Sequence, residues 1–448
     1  MLMKKYVTNN RNRLLLLLCS MLFCGLISCN AIGKSNETVK AVEKTDSCQL
    51  DSKNSYEVYI PQRSNPDEKL PLLVIIDSHG SGKFALGKFK PAANQYPAVI
   101  VASNLIKNGF GNYEGAIQTL IDDVHQKYPV GETVFMTGFS GGARMSLGYA
   151  LTHPVNGLIL CGALANPDQI NALRCPVISI SGMDDFNFME TAQYLFQEQS
   201  IPGNLKIELT NASHDWPDSV MLSNAFGFLH LSCQAADIPS PTKSQLTTFC
   251  HNQQARIDSL KQQGDFLKAA VLARNMSSTV PFNSDQTFAS KYKDLKDNSE
   301  YSSQLNRLKK CLDFETTVRQ PYIDDFMTKD SVWWKNEINT TNEKIKTVQD
   351  SYTKDMYRRI KGFWGIACYS LGNQAIQAQN GEALNKIISI YHQLEPENPY
   401  VLYFSAFPSF WKGNNETTIS ILKKAIKAGF TDMGQLKRDF PEAVNSKL

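Results

Sequence analysis

The chain has 448 residues, 42% of them hydrophobic and 20% charged. That is ordinary globular composition, which excludes a mainly disordered, collagenous or polytopic membrane protein; at roughly 150 residues per domain it implies about two or three domains. Net charge is +3, but Lys4, Lys5, Arg11 and Arg13 lie in an N-terminal leader, and without them the 46 basic residues fall to 42 against 43 acidic ones. There is no basic excess for nucleic acid, and no zinc-finger or basic-helix spacing.

Met1–Arg13 is polar and basic, and residues 14–28 (LLLLLCSMLFCGLIS) are an apolar run. A spanning helix needs about 20 apolar residues, so this shorter run reads as an export signal over 1–28. Its end, Leu26-Ile27-Ser28-Cys29, resembles the bacterial lipobox. The resemblance implies that Cys29 becomes the lipidated first residue of the mature chain, anchored to the lipid bilayer of a bacterial cell envelope. Asn30 stands where an Asp would mark inner-membrane retention, so outer-membrane or periplasm-facing residence is expected. Residues 29–50 are polar and aperiodic and read as a tether. Beyond Cys29 lie Cys48, Cys161, Cys175, Cys233, Cys250, Cys311 and Cys368. In an exported chain a Cys48–Cys233 staple, or Cys233–Cys250 instead, is expected. Without a C-x-x-C pair, no metal or other cofactor is expected.

From residue 51 to 234 short apolar runs alternate with helix-like stretches. Tyr56–Ile60, Pro71–Ile76, Ala98–Ala102, Thr133–Thr137, Gly157–Leu160, Val177–Ser181 and Lys206–Leu209 read as strands. Ala116–Lys127 and Ser140–Thr152 read as helices between them. This alternation predicts an α/β fold, a mainly parallel sheet with helices on both faces. After the proline-containing stretch 238–246 (IPSPTKSQL) strand-like runs vanish, and 235–448 reads as an all-α region. Residues 364–398 and 399–432 repeat a helix–turn–helix grammar at a period near 34–35. They resemble tetratricopeptide repeats (about 364–433), although the signature Trp-Leu-Gly-Tyr positions are poorly kept. Such helix pairs stack into a concave surface suited to a protein or substrate partner.

The chemistry-bearing motif is Gly138-Phe139-Ser140-Gly141-Gly142, which follows a strand-like run and precedes a helix-like one. This is the context of a G-x-S-x-G nucleophile elbow. A serine hydroxyl needs a base to act as nucleophile. Downstream, Gly182-Met183-Asp184-Asp185 and Ser213-His214-Asp215-Trp216-Pro217 lie on loops after consecutive strands. Asp185 is the expected acid, with Asp184 the alternative, and His214 the expected base, with His79 the alternative. Gly141 offers one oxyanion donor. The loop Asp77-Ser78-His79-Gly80-Ser81-Gly82 offers the other, from Gly80 or Ser81. His79, Phe139 and Trp216 are expected to line the substrate site, with Phe84, Phe186 and Phe188 as further wall candidates. About 16 residues separate the strand ending at Leu160 from the one at Val177, too few for a large cap, so an open site is expected.

Residues 76–82 (IDSHGSG), 128–145 (YPVGETVFMTGFSGGARM) and 214–217 (HDWP) resemble the α/β-hydrolase superfamily. Within it they are similar to secreted esterases related to polyhydroxybutyrate depolymerases and to feruloyl or acetylxylan esterases. Ser213 replaces the glycine that this group carries before its histidine. The resemblance covers about 180 residues. It implies a Ser140–Asp185–His214 triad acting through an acyl-enzyme on an ester-bearing small molecule or glycan. A serine peptidase of the same fold, or a binding lipoprotein with a relic hydrolase fold, are the alternatives.

Overall fold

A computed structural model of the chain describes residues 38–196, 201–284 and 286–448. The leader and Cys29 lie outside the described residues. Residues 38–40 and 62–68 belong to a small unit of their own, where Val39 bridges Arg63 in antiparallel fashion. The rest, 41–61 and 69–448, is one compact unit.

That unit begins with an eight-stranded sheet. Its strands are β1 (Val42–Ser47), β2 (Ser55–Ile60), β3 (Leu70–Ile76), β4 (Val99–Ser103), β5 (Val130–Phe139), β6 (Gly157–Cys161), β7 (Val177–Gly182) and β8 (Leu205–Thr210). They are ordered β1-β2-β4-β3-β5-β6-β7-β8. The β1–β2 and β2–β4 pairings are antiparallel and all others parallel. β3, β4, β6 and β7 are buried along their whole length, as apolar, β-branched runs require when helices cover both faces. Those helices are α1 (Gly82–Gln95), α2 (Tyr113–Lys127), α3 (Gly141–Thr152), α4 (Pro167–Ala172), α5 (Phe188–Phe196) and α6 (Ser219–Ser232). The fold is α/β-hydrolase-like, followed by an all-α region.

Parallel register decides where the loops emerge. Ile76 pairs with Gly138, Phe139 with Cys161, and Gly182 with Thr210. The carboxyl ends of these strands therefore share one rim of the sheet, where ligands bind in open parallel sheets. The β6–β7 connection holds only the short α4, with no cap inserted there.

The structure departs from the sequence reading in three places. Residues 42–47, read as tether, form β1. Its residues are mostly exposed, so no apolar period announces it. It covers the free edge of β2, with the Thr45 hydroxyl donating to Glu57 at 2.9 Å. All seven described cysteines are free thiols, so neither expected disulfide is formed. Cys48 is buried in the β1–β2 turn, its N–H on the Asn54 carbonyl at 3.0 Å, whereas Cys233 ends α6. Finally, the helix expected near Trp364 begins thirteen residues earlier, at Ser351.

The all-α region comprises α7 (Lys243–Gln262), α8 (Phe266–Ser277), α9 (Thr287–Lys296), α10 (Ser299–Thr328), α11 (Ser331–Thr347), α12 (Ser351–Gln377), α13 (Gly381–Leu394), α14 (Pro399–Trp411), α15 (Asn415–Lys427), α16 (Met433–Asp439) and α17 (Glu442–Asn445). Thr242 and Gln245 close a capping box at the start of α7, which satisfies donors a helix start leaves open. Next, α8 covers the sheet's far edge. The Asn275 carboxamide donates to the Ile207 carbonyl at 2.7 Å and accepts from the Ile207 N–H at 3.2 Å. One side chain thus stands in for the missing neighbour of β8. Further on, α12–α13 and α14–α15 form helix pairs. Gly413 turns the second at φ +75°, and Gln379 turns the first at +50°.

Candidate active site

β5 runs straight into α3 through Ser140, which sits at φ 54° and ψ −116°. Among the described residues only Ser140 and Gln379 are non-glycines with positive φ. Such backbone costs on the order of 1–3 kcal/mol and persists where the surroundings hold it. Here the Ser140 N–H donates to the Cys161 carbonyl of β6 at 2.8 Å, and its carbonyl accepts from the Arg144 N–H at 3.1 Å. Strand and helix meet too closely for side chains. A Cβ on Gly142 would stand 2.0 Å from the Ile76 carbonyl oxygen, and one on Gly138 2.3 Å from the Gly142 carbonyl carbon. The motif's glycines are therefore steric requirements of the turn, and the turn lifts Ser140 Oγ at the α3 N-terminus.

The two downstream loops reach that hydroxyl. His214 Nε2 lies 2.9 Å from Ser140 Oγ, and His214 Nδ1 lies 2.9 Å from each Asp185 carboxylate oxygen. The Asp185 side chain is only 2% exposed and that of His214 19%. Asp185 also accepts from the Asn187 N–H at 2.8 Å. The loops approach because β7 ends in Gly182, where a Cβ would stand 2.0 Å from the Ala212 carbonyl oxygen. The Phe139 and Phe186 rings flank the imidazole, with centroids 4.7 and 4.2 Å away. The position before His214, a serine here, keeps an ordinary negative φ, so it makes no demand for glycine.

The alternatives stand elsewhere. Asp184 faces Arg358 at 3.6 Å. Burial pushes its carboxyl up to about 6, with the Asp355 carboxylate adding to the rise. His79 is 60% exposed and sits beside Ser78 and Asp77.

The Asp77 loop corrects two expectations. Asp77 is buried and accepts from the N–H groups of His79 at 2.9 Å and Ser81 at 3.0 Å through Oδ1. Its backbone carbonyl accepts from the Gly80 N–H at 3.1 Å. The two N–H groups expected to serve an oxyanion, those of Gly80 and Ser81, are thus turned onto Asp77. Gly141 keeps its expected place at the helix start. Trp216 is the second correction. Its indole N–H donates to Asp77 Oδ2 at 2.8 Å, which draws the ring inward to 5% exposure against Phe89 and Phe139. Trp216 and Phe139 are packed behind the His214 ring and do not line an open wall. Phe188 is buried as well, while Phe84 is 53% exposed.

Two groups of residues escaped the sequence reading. Asn108, after β4, donates its N–H to the Ser78 carbonyl at 2.9 Å. Its carboxamide fills the space beside Gly141, where a Cβ would stand 1.7 Å from Asn108 Oδ1. Its position on a polar, glycine-containing loop at the same sheet rim was the available signal. The second group is Arg319 on α10 with Arg358 and Arg359 on α12, which meet the loop carrying Asp185, and Glu315 of α10, which pairs with Arg319 and Arg359. Nothing in the sequence distinguishes them from other charged helix residues.

No protein-family model matches the chain, and no curated protein matches it in sequence. Solved structures do. Est1E from Butyrivibrio proteoclasticus is 14% identical with a TM-score of 0.33, the match covering 41% of this chain and 95% of that one. Esterase B from Lactobacillus rhamnosis is 13% identical with a TM-score of 0.33, covering 49% of this chain and 96% of that one.

Proposed function

We propose that the protein is a serine hydrolase that cleaves carboxylic esters through an acyl-enzyme. The observation that carries this reading is the unbroken hydrogen-bonded sequence Asp185–His214–Ser140, with the serine on a strained strand-to-helix turn. In the proposed reaction Ser140 Oγ attacks the ester carbonyl while His214 Nε2 takes its proton. Asp185 orients the imidazole through Nδ1 and stabilises the imidazolium. The oxyanion develops at the α3 N-terminus, where the Gly141 N–H and the helix dipole favour negative charge. Collapse expels the alcohol, which leaves with the proton from His214. Water, deprotonated by His214, then attacks the acyl-serine and releases the acid.

The same proposal takes an ester-bearing small molecule or glycan as substrate. The helical pairs, read as tetratricopeptide-like, offer a recognition surface for substrate or a protein partner. Cys29, lipidated once the leader is removed, tethers the protein to the bacterial envelope. No helix among the described residues is long and apolar enough to cross a membrane.

A fluorophosphonate probe tests the nucleophile. Wild-type protein is expected to be labelled and to cleave short p-nitrophenyl esters, and Ser140→Ala to do neither. A folded wild type that takes no label would overturn the reading.

A further inference from the structure

The loop that carries Asp185 is gripped from the all-α region. Arg359 Nη1 donates to the Met183 carbonyl, and the Arg359 guanidinium lies over the Phe188 ring, 5.4 Å from its centroid. Arg319 Nη2 donates to the Phe186 carbonyl at 2.8 Å. Arg358 faces the Asp184 carboxylate at 3.6 Å. A Cβ on Gly362 would stand 3.4 Å from Phe186, the ring that covers His214. Contacts from α10 and α12 therefore hold the loop on both sides of Asp185, more than 130 residues away in sequence.

Behind these contacts lies a buried charge cluster. The Arg359 and Glu315 side chains are both fully buried, with Arg359 Nε 3.0 and 2.9 Å from the Glu315 oxygens. Arg319 approaches the same carboxylate at 3.8 Å. Removing charges from water is costly, and well-packed apolar residues in place of such a cluster are often neutral or stabilising. Stability alone is a poor reason to bury it. What it supplies is direction: Glu315 orients the Arg359 fork so that one arm meets a carbonyl two residues before Asp185.

We infer that the all-α region is part of the catalytic apparatus, with Arg359 and Arg319, oriented by Glu315, as positioning residues that hold Asp185 in line with His214. The inference rests on the Ser140 hydrolase reading above. It makes the helical region more than an appended binding surface, because the acid's loop is completed by it.

Arg359→Lys and Arg359→Met in the full chain test this. Arg359→Lys keeps the charge beside Glu315 but loses the fork. Each is expected to lower kcat for a p-nitrophenyl ester by about 10- to 100-fold with KM within about twofold, the scale of a misplaced catalytic group. On an Asp185→Asn background the same substitutions are expected to cost nothing further, because the route of their effect is gone. Unchanged kcat in the folded variants would overturn the inference. So would a loss that persists in full beside Asp185→Asn, since that marks a general structural role. If Arg359→Met does not fold, Arg359→Lys decides the matter alone. If the wild type cleaves no ester and takes no fluorophosphonate, the hydrolase reading fails and amide hydrogen exchange judges the clamp. Faster exchange over 183–188 in Arg359→Lys supports the clamp, and unchanged exchange sinks it.

Discussion

The loops after β3 and β7 emerge at the same rim of the sheet, yet they are held in different ways. The loop after β3 is braced largely from within. Asp77 gathers the N–H groups of His79, Gly80 and Ser81 and reaches one outside partner, the Trp216 indole. The loop after β7 turns on its own bonds, from the Asp185 N–H to Gly182 and from the Phe188 N–H to Asp185. Its outer carbonyls, at Met183 and Phe186, are taken by arginines of α12 and α10. A carboxylate within a loop can organise neighbouring N–H groups over short reach. A loop whose carbonyls point outward needs donors from another element, and only packing brings them. The first arrangement is set mainly by the motif itself; the second depends on the all-α region being folded.

Swapping one atom in each of two adjacent carboxylates gives the largest contrast. Asp185→Asn is expected to lower kcat by about 10,000-fold, as when a triad acid is replaced by its amide. Asp184→Asn, one residue away and facing Arg358, is expected to stay within about threefold in the same ester assay, since its side chain makes no contact with His214. Equal losses would show that the β7 loop does not discriminate its two acids as the geometry requires.

The β3 loop is tested by Asp77→Ala. With His79, Ser81 and Trp216 donors left unpaired and the loop free to shift, kcat is expected to fall about 100-fold, the scale of a misplaced catalytic group. Urea denaturation is expected to show a loss of about 3 kcal/mol for the same change. Trp216→Phe keeps the ring against Phe89 and Phe139 and removes one bond, so about 1 kcal/mol and a few-fold in kcat are expected. A Trp216→Phe effect as large as that of Asp77→Ala would mean that the loop is braced from outside after all.

The last effect is read in stability and pH, not in turnover. The Asp184 carboxyl titrates at about 6 in the folded chain, against an ordinary value of 3.8. The folded state therefore binds the proton more tightly, and stability falls as pH rises through the window between those values. Asp184→Asn removes that loss. It is expected to stabilise the protein at pH 8 by up to about 3 kcal/mol, at 1.36 kcal/mol per pKa unit, with little gain at pH 3.5. Thermal melts at the two pH values check the sign, and an equal shift at both would sever Asp184 from the effect.

The sequence by itself determined the features that follow from local sterics and period. The apolar, β-branched runs specify β2 to β8 as strands, and G-F-S-G-G specifies a turn that tolerates side chains only at Phe139 and Ser140. Strand-terminal position places Asp185 and His214 at one rim. Tertiary structure decided what depends on direction and distant partners. It turned Asp185 to the imidazole and Asp184 to Arg358, which no period separates in adjacent loop residues. It drew Trp216 onto Asp77 and turned the Gly80 and Ser81 N–H groups the same way. It made an edge strand of 42–47, whose exposed residues carry no apolar signal, and set Arg319 and Arg359 on a loop that they follow at no recognisable spacing. Hydrophobic pattern is written residue by residue along the chain. The orientation of a hydrogen bond across a packed interface exists only once both sides are in place.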